Sequence, residues 1–131
     1  SSAHASFDNL MELFEHNYIL VRRLLGDLRQ IPNELVLQAR HQPGILIRVL
    51  ERGPYTLTLL IRPRLSTTTQ DEQLPDIHLR VYLDARSAEI WEHGQNCLRT
   101  EATGCLRRRW RKNRFLLRWL SYLIQQQYRQ S

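Results

Sequence analysis

Apolar residues recur at Phe7, Leu10, Met11, Phe14, Tyr18, Val21, Leu25 and Leu28. Steps of three and four place them on one face of a helix, and Leu13, Leu20 and Leu24 widen the stripe beyond that of a surface helix, so this helix should be largely covered. Ser6 or Asp8 can cap its start, and Gly26 and Pro32 end it. Acids sit early (Asp8, Glu12, Glu15) and arginines late (Arg22, Arg23, Arg29), which suits the helix dipole.

From Glu34 the period changes to that of strands. Segments 34–40, 45–52, 55–62, 77–85 and 88–93 are rich in Val, Ile, Leu, Tyr and Thr and are bounded by turn residues such as Pro43-Gly44, Gly53-Pro54 and Asp84–Ser87. Alternation is clearest where Ile45, Ile47 and Val49 interleave with Leu46, Arg48 and Leu50, and where Ile77, Leu79, Val81 and Leu83 interleave with His78, Arg80 and Tyr82. Turns this short join antiparallel neighbours, because parallel crossovers need a dozen or more residues. A polar stretch around Ser66–Glu72 has no periodicity and reads as a long loop. A sixth strand is expected near Asn96–Thr100.

The last segment, Leu106–Tyr128, has helical periodicity and two unlike halves. Arg107, Arg108, Arg109, Arg111, Lys112, Arg114 and Arg118 crowd the first with no acid among them, and Phe115, Leu116, Leu117, Trp119, Leu120, Tyr122, Leu123 and Ile124 fill the second. The order helix, antiparallel meander, helix predicts one α+β domain over residues 7–131 behind a frayed tail at 1–6. It has five or six strands, and the C-terminal helix packs with the first helix on one sheet face. Phe14, Leu25, Leu117 and Leu120 are the expected helix contributions to the core.

Composition changes this picture in one respect. The chain of 131 residues carries 19 basic and 13 acidic side chains for a net charge of +6, and seven of those cations lie in residues 107–118, so the remainder is close to neutral. Cations in the first turns of a helix oppose its dipole, and like charges four apart repel by a few tenths of a kcal/mol, so the stripe requires a partner. Acids elsewhere in the chain, Glu101, Asp71, Glu72 or Asp76, would supply it internally. Alternatively Arg107, Arg111, Arg114 and Arg118, beside Trp110 and Tyr122, form a polyanion-binding face that grips phosphates and stacks on bases. A basic amphipathic helix lying on a membrane surface is a weaker third reading.

Other chemistry is sparse. His93, Cys97 and Cys105 match no recurrent zinc spacing, so neither metal nor cofactor is expected, and no nucleophile triad or phosphate-cradling glycine loop is discernible. Cys105 beside the arginines is at most a reactive thiol. Glu51, Asp84 and Glu89 lie at strand ends, where carboxylates cap turns or pair with Arg48 or Arg80 more often than they catalyse. Two cysteines, no long apolar run and no signal-like opening point to the cytoplasm without a membrane span.

Three blocks resemble the YqiB-like family of small proteobacterial proteins. They are the opening helix with Leu10-Met11, Glu15, Asn17-Tyr18 and Arg22-Arg23-Leu24-Leu25; Leu74-Pro75 followed by Arg80, Tyr82, Asp84-Ala85 and Ala88-Glu89; and Asn113-Arg114-Phe115-Leu116 with Trp119-Leu120. The resemblance implies a bacterial, intracellular, single-domain protein without an assigned function and without a catalytic set to transfer. It places a candidate shared polar site at Arg22, Arg23, Arg80, Tyr82, Asp84 and Glu89. The family's pattern before Asn113 mixes acids with bases, whereas Leu106–Lys112 here has bases only, so the extreme charge belongs to this chain. The expected function is a non-catalytic protein-interaction module, with a protein partner or a second copy of itself. The alternatives are nucleic-acid binding by the basic helix, or a small-ligand or enzyme site on the sheet.

Overall fold

The computed structural model describes residues 7–63, 76–91 and 102–130, and of Phe7 and residues 102–105 the backbone alone. The first helix, α1, spans Phe7–Leu25. Gly26 stops it by turning into the left-handed region (φ 76°), while its N–H still donates to the Arg22 carbonyl at 2.8 Å. Asp27 then accepts from the Arg29 N–H at 3.1 Å and caps a short 3-10 turn, Leu28–Gln30.

Five strands follow as a meander: β1 (Glu34–Gln38), β2 (Ile45–Arg52), β3 (Thr56–Pro63), β4 (Ile77–Tyr82) and β5 (Ser87–Ile90). Each is antiparallel to its predecessor. The expected strand cores are all present, with β4 ending sooner than the sequence suggests because a turn occupies Leu83–Arg86, and with the last two expected residues of β5, 92 and 93, outside the described residues. The sixth strand, β6, is Arg129–Gln130 at the end of the chain and pairs with β1, giving the order β5-β4-β3-β2-β1-β6. The expected strand at Asn96–Thr100 and the loop around Ser66–Glu72 lie outside the described residues.

Register assigns the two faces. Leu37, Ile45, Ile61 and Ile77 lie on one face, as do Ile47, Leu59, Leu57, Leu79, Val81, Ala88 and Ile90, because residues opposite one another across a ladder share a side. This is the apolar half of each alternating segment, and the helices cover it. Tyr18, Val21, Leu24 and Leu25 of α1 and Leu116, Leu120 and Leu123 of the second helix, α2 (Ala102–Gln125), close a single core over it. Beyond the sheet the helix pair continues as a smaller cluster, in which Leu10, Leu13 and Phe14 pack against Met11, Leu106, Trp110 and Leu117. Of the expected core residues Phe14, Leu25 and Leu120 are buried and Leu117 is partly so.

Helix α2 ends three residues before Tyr128. Gln127 adopts φ 63°, its N–H donates to the Ile124 carbonyl at 3.0 Å, and the Tyr128 N–H reaches back to the Leu123 carbonyl at 3.1 Å. That is the double hydrogen bond of a Schellman cap, with glutamine where glycine is usual. The turn aims Tyr128 inward, where its hydroxyl donates to the Pro43 carbonyl at 2.7 Å, and lets Gln130 donate to the carbonyl of Leu25 at the end of α1.

Two adjacent residues of α2 test this placement. Leu116 is fully buried and Phe115 is 55% exposed. We expect Leu116→Ala to lower unfolding free energy by about 3 kcal/mol and Phe115→Ala to change it by less than about 0.5 kcal/mol, read from urea midpoints at constant slope.

Candidate functional site

Strand β5 is an edge of the sheet, and both helices pack against it. The Trp91 N–H donates to the His78 carbonyl at 2.7 Å, so odd-numbered residues here bond inward to β4 and the main-chain groups of Ala88 and Ile90 point outward. Covering an edge with helices removes water from those groups, and each then needs another partner. Two buried asparagines supply it. The Asn113 side-chain oxygen accepts from the Ile90 N–H at 2.9 Å, while its amide group donates to the Arg109 carbonyl one turn back at 2.9 Å. Asn17, fully buried on α1, donates at 3.4 Å to the Ala88 carbonyl and at 3.5 Å to the Asn113 carbonyl. The first asparagine makes well-formed bonds, whereas the second makes long ones and leaves its Oδ1 without a hydrogen-bond partner.

The other face of the sheet carries the polar residues. Arg80 lies opposite Glu89, and Tyr82 opposite Ser87, across the β4–β5 ladder. Glu89 is only 4% exposed. Arg109 reaches round the β5 edge from α2 and places its Nη2 at 2.6 Å from Glu89 Oε2, and the Tyr82 hydroxyl donates to Oε1 at 3.3 Å. The same guanidinium lies 5.4 Å from the centre of the Phe14 ring on α1, so one side chain joins both helices to the edge strand. Arg80 itself stacks on Trp91, 3.9 Å from the ring centre. Burial, and then the Glu89 charge, push the Tyr82 phenol above its ordinary value of 10.0.

The structure therefore gathers Arg80, Tyr82 and Glu89 of the candidate polar site and separates the rest. Asp84 is exposed in the β4–β5 turn, and Arg22 and Arg23 are exposed in the last turn of α1. In the candidate polyanion face, Arg107, Arg111 and Arg118 are exposed. Arg114 is half-buried, 5.7 Å from the Trp110 ring, and Trp110 is packed against Leu10, Leu13 and Phe14. Asp76 serves Arg62 rather than the stripe, at 2.9 Å, and that arginine holds its carboxyl below the ordinary range. Asp71, Glu72, Glu101, His93 and Cys97 lie outside the described residues, as does the side chain of Cys105. Among the described residues, Glu89 meets the basic helix, through Arg109.

On the side of α2 away from α1, an open groove of about 410 Å³ runs between the helix and the end of β5. Ile90, Arg108, Arg111, Lys112 and Phe115 line it. The outer side of α2 thus begins with cations and continues into aromatics, since exposed Arg108, Arg111, Phe115 and Tyr122 lie along one line with Trp119, which is partly buried against the core. A shallower hollow of about 480 Å³ lies over Asn33, Glu34 and residues 48–52, where the Arg48–Glu34 ion pair sits at its rim. Sequence reasoning missed Asn17, Asn113, Arg108, Phe115 and Ile90 as site residues. The one available signal was a pair of asparagines inside otherwise apolar helix stripes.

Truncating Arg109 to Met leaves a buried carboxylate unpaired, a change that costs on the order of 3 kcal/mol, and Arg109→Met with Glu89→Gln should recover a good part of it. Asn113→Ala should cost about 1–3 kcal/mol by orphaning the Ile90 donor, and Asn17→Ala clearly less, because its bonds are long. Denaturant melts of the four variants read both comparisons. A phenol with a raised folded pKa holds its proton more tightly folded than unfolded. The stability Tyr82 contributes is therefore fully present below the unfolded value near 10 and is lost as pH climbs through the folded one. Phenolate absorbance should show a tyrosine titrating late, and Tyr82→Phe should remove that component.

No curated protein and no solved structure matches the chain. A family match covers residues 20–129, which takes in strands β1 to β5, the Arg80–Tyr82–Glu89 group, Arg109 and Asn113, and begins just after Asn17. With most of its length matched, and with the edge strand and the helix that clamps it both inside the match, the chain belongs to the family described as "Protein of unknown function (DUF1249)".

Proposed function

We propose that this chain is a non-catalytic protein-interaction module whose contact face is the outward stripe of α2, from Arg108 to Tyr122. The bacterial and cytoplasmic setting of this reading rests on the resemblance to the YqiB-like family. The observation that carries the reading is how the basic helix is divided. Arg109 is spent on Glu89 inside the protein and Arg114 lies against Trp110, while Arg107, Arg108 and Arg111 stand exposed next to Phe115.

Two further features favour a protein over the alternatives. Of the two rings expected to stack on bases, Trp110 is packed between the helices and Tyr122 alone stands exposed. A catalytic carboxylate would face an open cavity, and Glu89 is instead held by Arg109 and Tyr82. A surface that mixes arginine with aromatic residues is also the composition typical of protein contacts. No described helix is long and apolar enough to cross a membrane.

A photo-crosslinking residue placed at Phe115, and separately at the equally exposed Tyr55 on the β2–β3 hairpin, tests the proposal in the native host. A protein adduct, identified by sequencing, should form at position 115, be absent at 55, and disappear with Arg111→Glu. Adducts to nucleic acid alone, or the same adducts from both positions, overturn it. An adduct to a second copy of this chain assigns the contact to self-association.

A further inference from the structure

Resting on the reading of α2 as a contact face, we infer that the groove beside β5 takes an acidic, extended peptide segment with one apolar anchor. The anchor sits between Ile90 and Phe115, and carboxylates of the segment meet Arg111 and Arg108. Charge complementarity is the first argument. The cations occupy the first half of α2, where the dipole favours anions, and Arg107, Arg108 and Arg111 repel one another at three- and four-residue spacing. Acids among the described residues that pair with arginine are already committed, Glu34 to Arg48, Asp76 to Arg62 and Glu89 to Arg109. An incoming carboxylate relieves the repulsion among Arg107, Arg108 and Arg111, which none of those three acids meets.

The second argument is the lining. Phe115 keeps 55% of its surface exposed beside Ile90, so the groove has an apolar floor as well as a cationic rim. A polyanion without an apolar group would leave that floor wet, and a purely apolar segment would leave the arginines unmatched. The third argument is spacing. Arg111 and Phe115 are four residues apart on the helix, about 6 Å of rise, and Arg108 is about 10 Å from Phe115. An extended chain advances about 3.3 Å per residue and its side chains alternate, so only every second residue shares the anchor's side. An acid two positions away falls at Arg111, and one four positions away, about 13 Å along, comes within reach of the long Arg108 side chain. The pattern is an apolar residue and then two acids at every second position, all to one side of the anchor.

A fluorescently labelled ten-residue peptide with one leucine, and glutamates two and four positions along from it, is the direct probe. Fluorescence anisotropy with the full chain should give saturable binding that weakens at least tenfold with Phe115→Ala or Arg111→Glu. Replacing the peptide leucine by alanine, or moving the glutamates five positions further off, should weaken it to the same degree. Phe115 is exposed, so its variant keeps the fold, and the urea midpoint confirms that independently. Equal binding by the leucine-free peptide or by a single-stranded oligonucleotide, indifferent to Phe115→Ala, identifies a generic polyanion surface and overturns the inference. No binding by the leucine peptide at millimolar concentration also overturns it; a position-115 crosslink to a protein would still leave the contact-face reading standing.

Discussion

The structure depends on how the outer edge of β5 is closed. A sheet edge exposes main-chain donors and acceptors at every second residue, and helices packed over them exclude the water that would otherwise satisfy them. Here the outward groups of Ala88 and Ile90 are met by amide side chains from two different helices. An asparagine amide offers a donor and an acceptor in the same geometry as a peptide group, so it can continue a ladder for one step without a further strand. This fixes the height of α2 against β5 within the tolerance of a hydrogen bond. The apolar contacts of Leu116, Leu120 and Leu123, which are not directional, then inherit that position.

The Glu89–Arg109 pair is the electrostatic counterpart of the same junction. Glu89 lies on the face of β5 turned away from the core, and Arg109 crosses the edge to meet it while its guanidinium rests near Phe14. With the Nε of Arg109 buried and unbonded, the pair does not reach full hydrogen-bond satisfaction. Buried pairs contribute more to the specificity of an arrangement than to its net stability. At this junction the specificity is positional, because Asn113 lies one turn from Arg109 and donates its side-chain amide to the Arg109 carbonyl. Moving α2 by one turn would break the ion pair and the edge clamp together.

How much of this was legible in the sequence follows from what kind of signal each feature leaves. The helix α1 and strands β2 and β4 were legible because their burial follows the period of the element, 3.6 or 2, over enough residues to average out exceptions. Strand β6 was not, since two residues have no period, and it exists only because Gln127 turns the chain back beside β1. That cap was hidden for a related reason. A left-handed glutamine carries no mark in the sequence, whereas Gly26, which stops α1 with the same backbone sign, is conspicuous. Of the candidate site, Arg80 and Tyr82 were legible as neighbours because alternation puts them on one face of β4, whereas Glu89 joined them only through the family resemblance, its facing of Arg80 being a matter of register. Asn17, Arg109 and Asn113 come from other elements, and no local pattern says that they meet. The charge excess of α2 was plain to read, but not its division, because the assignment of Arg109 to Glu89 is a property of the packing.

That division gives the two ends of α2 different tasks. From Leu116 onward the inward residues are aliphatic and belong to the core, and the helix is positioned by them. Ahead of that point its apolar support is Leu10, Leu13 and Phe14 of α1, and its ties to the sheet are the polar ones from Asn113 and Arg109 to β5. A helix held on one side only leaves its opposite side open, and here that side faces the end of β5 across the groove lined by Arg108, Arg111 and Phe115. The junction that Asn113 and Arg109 lock is thus also what holds the groove open at a fixed width. Its two walls are Ile90, whose N–H is the one Asn113 grips, and the helix that carries Asn113 itself. The proposed contact surface is assembled on a constrained edge and would lose little entropy on binding, since its walls are already in place.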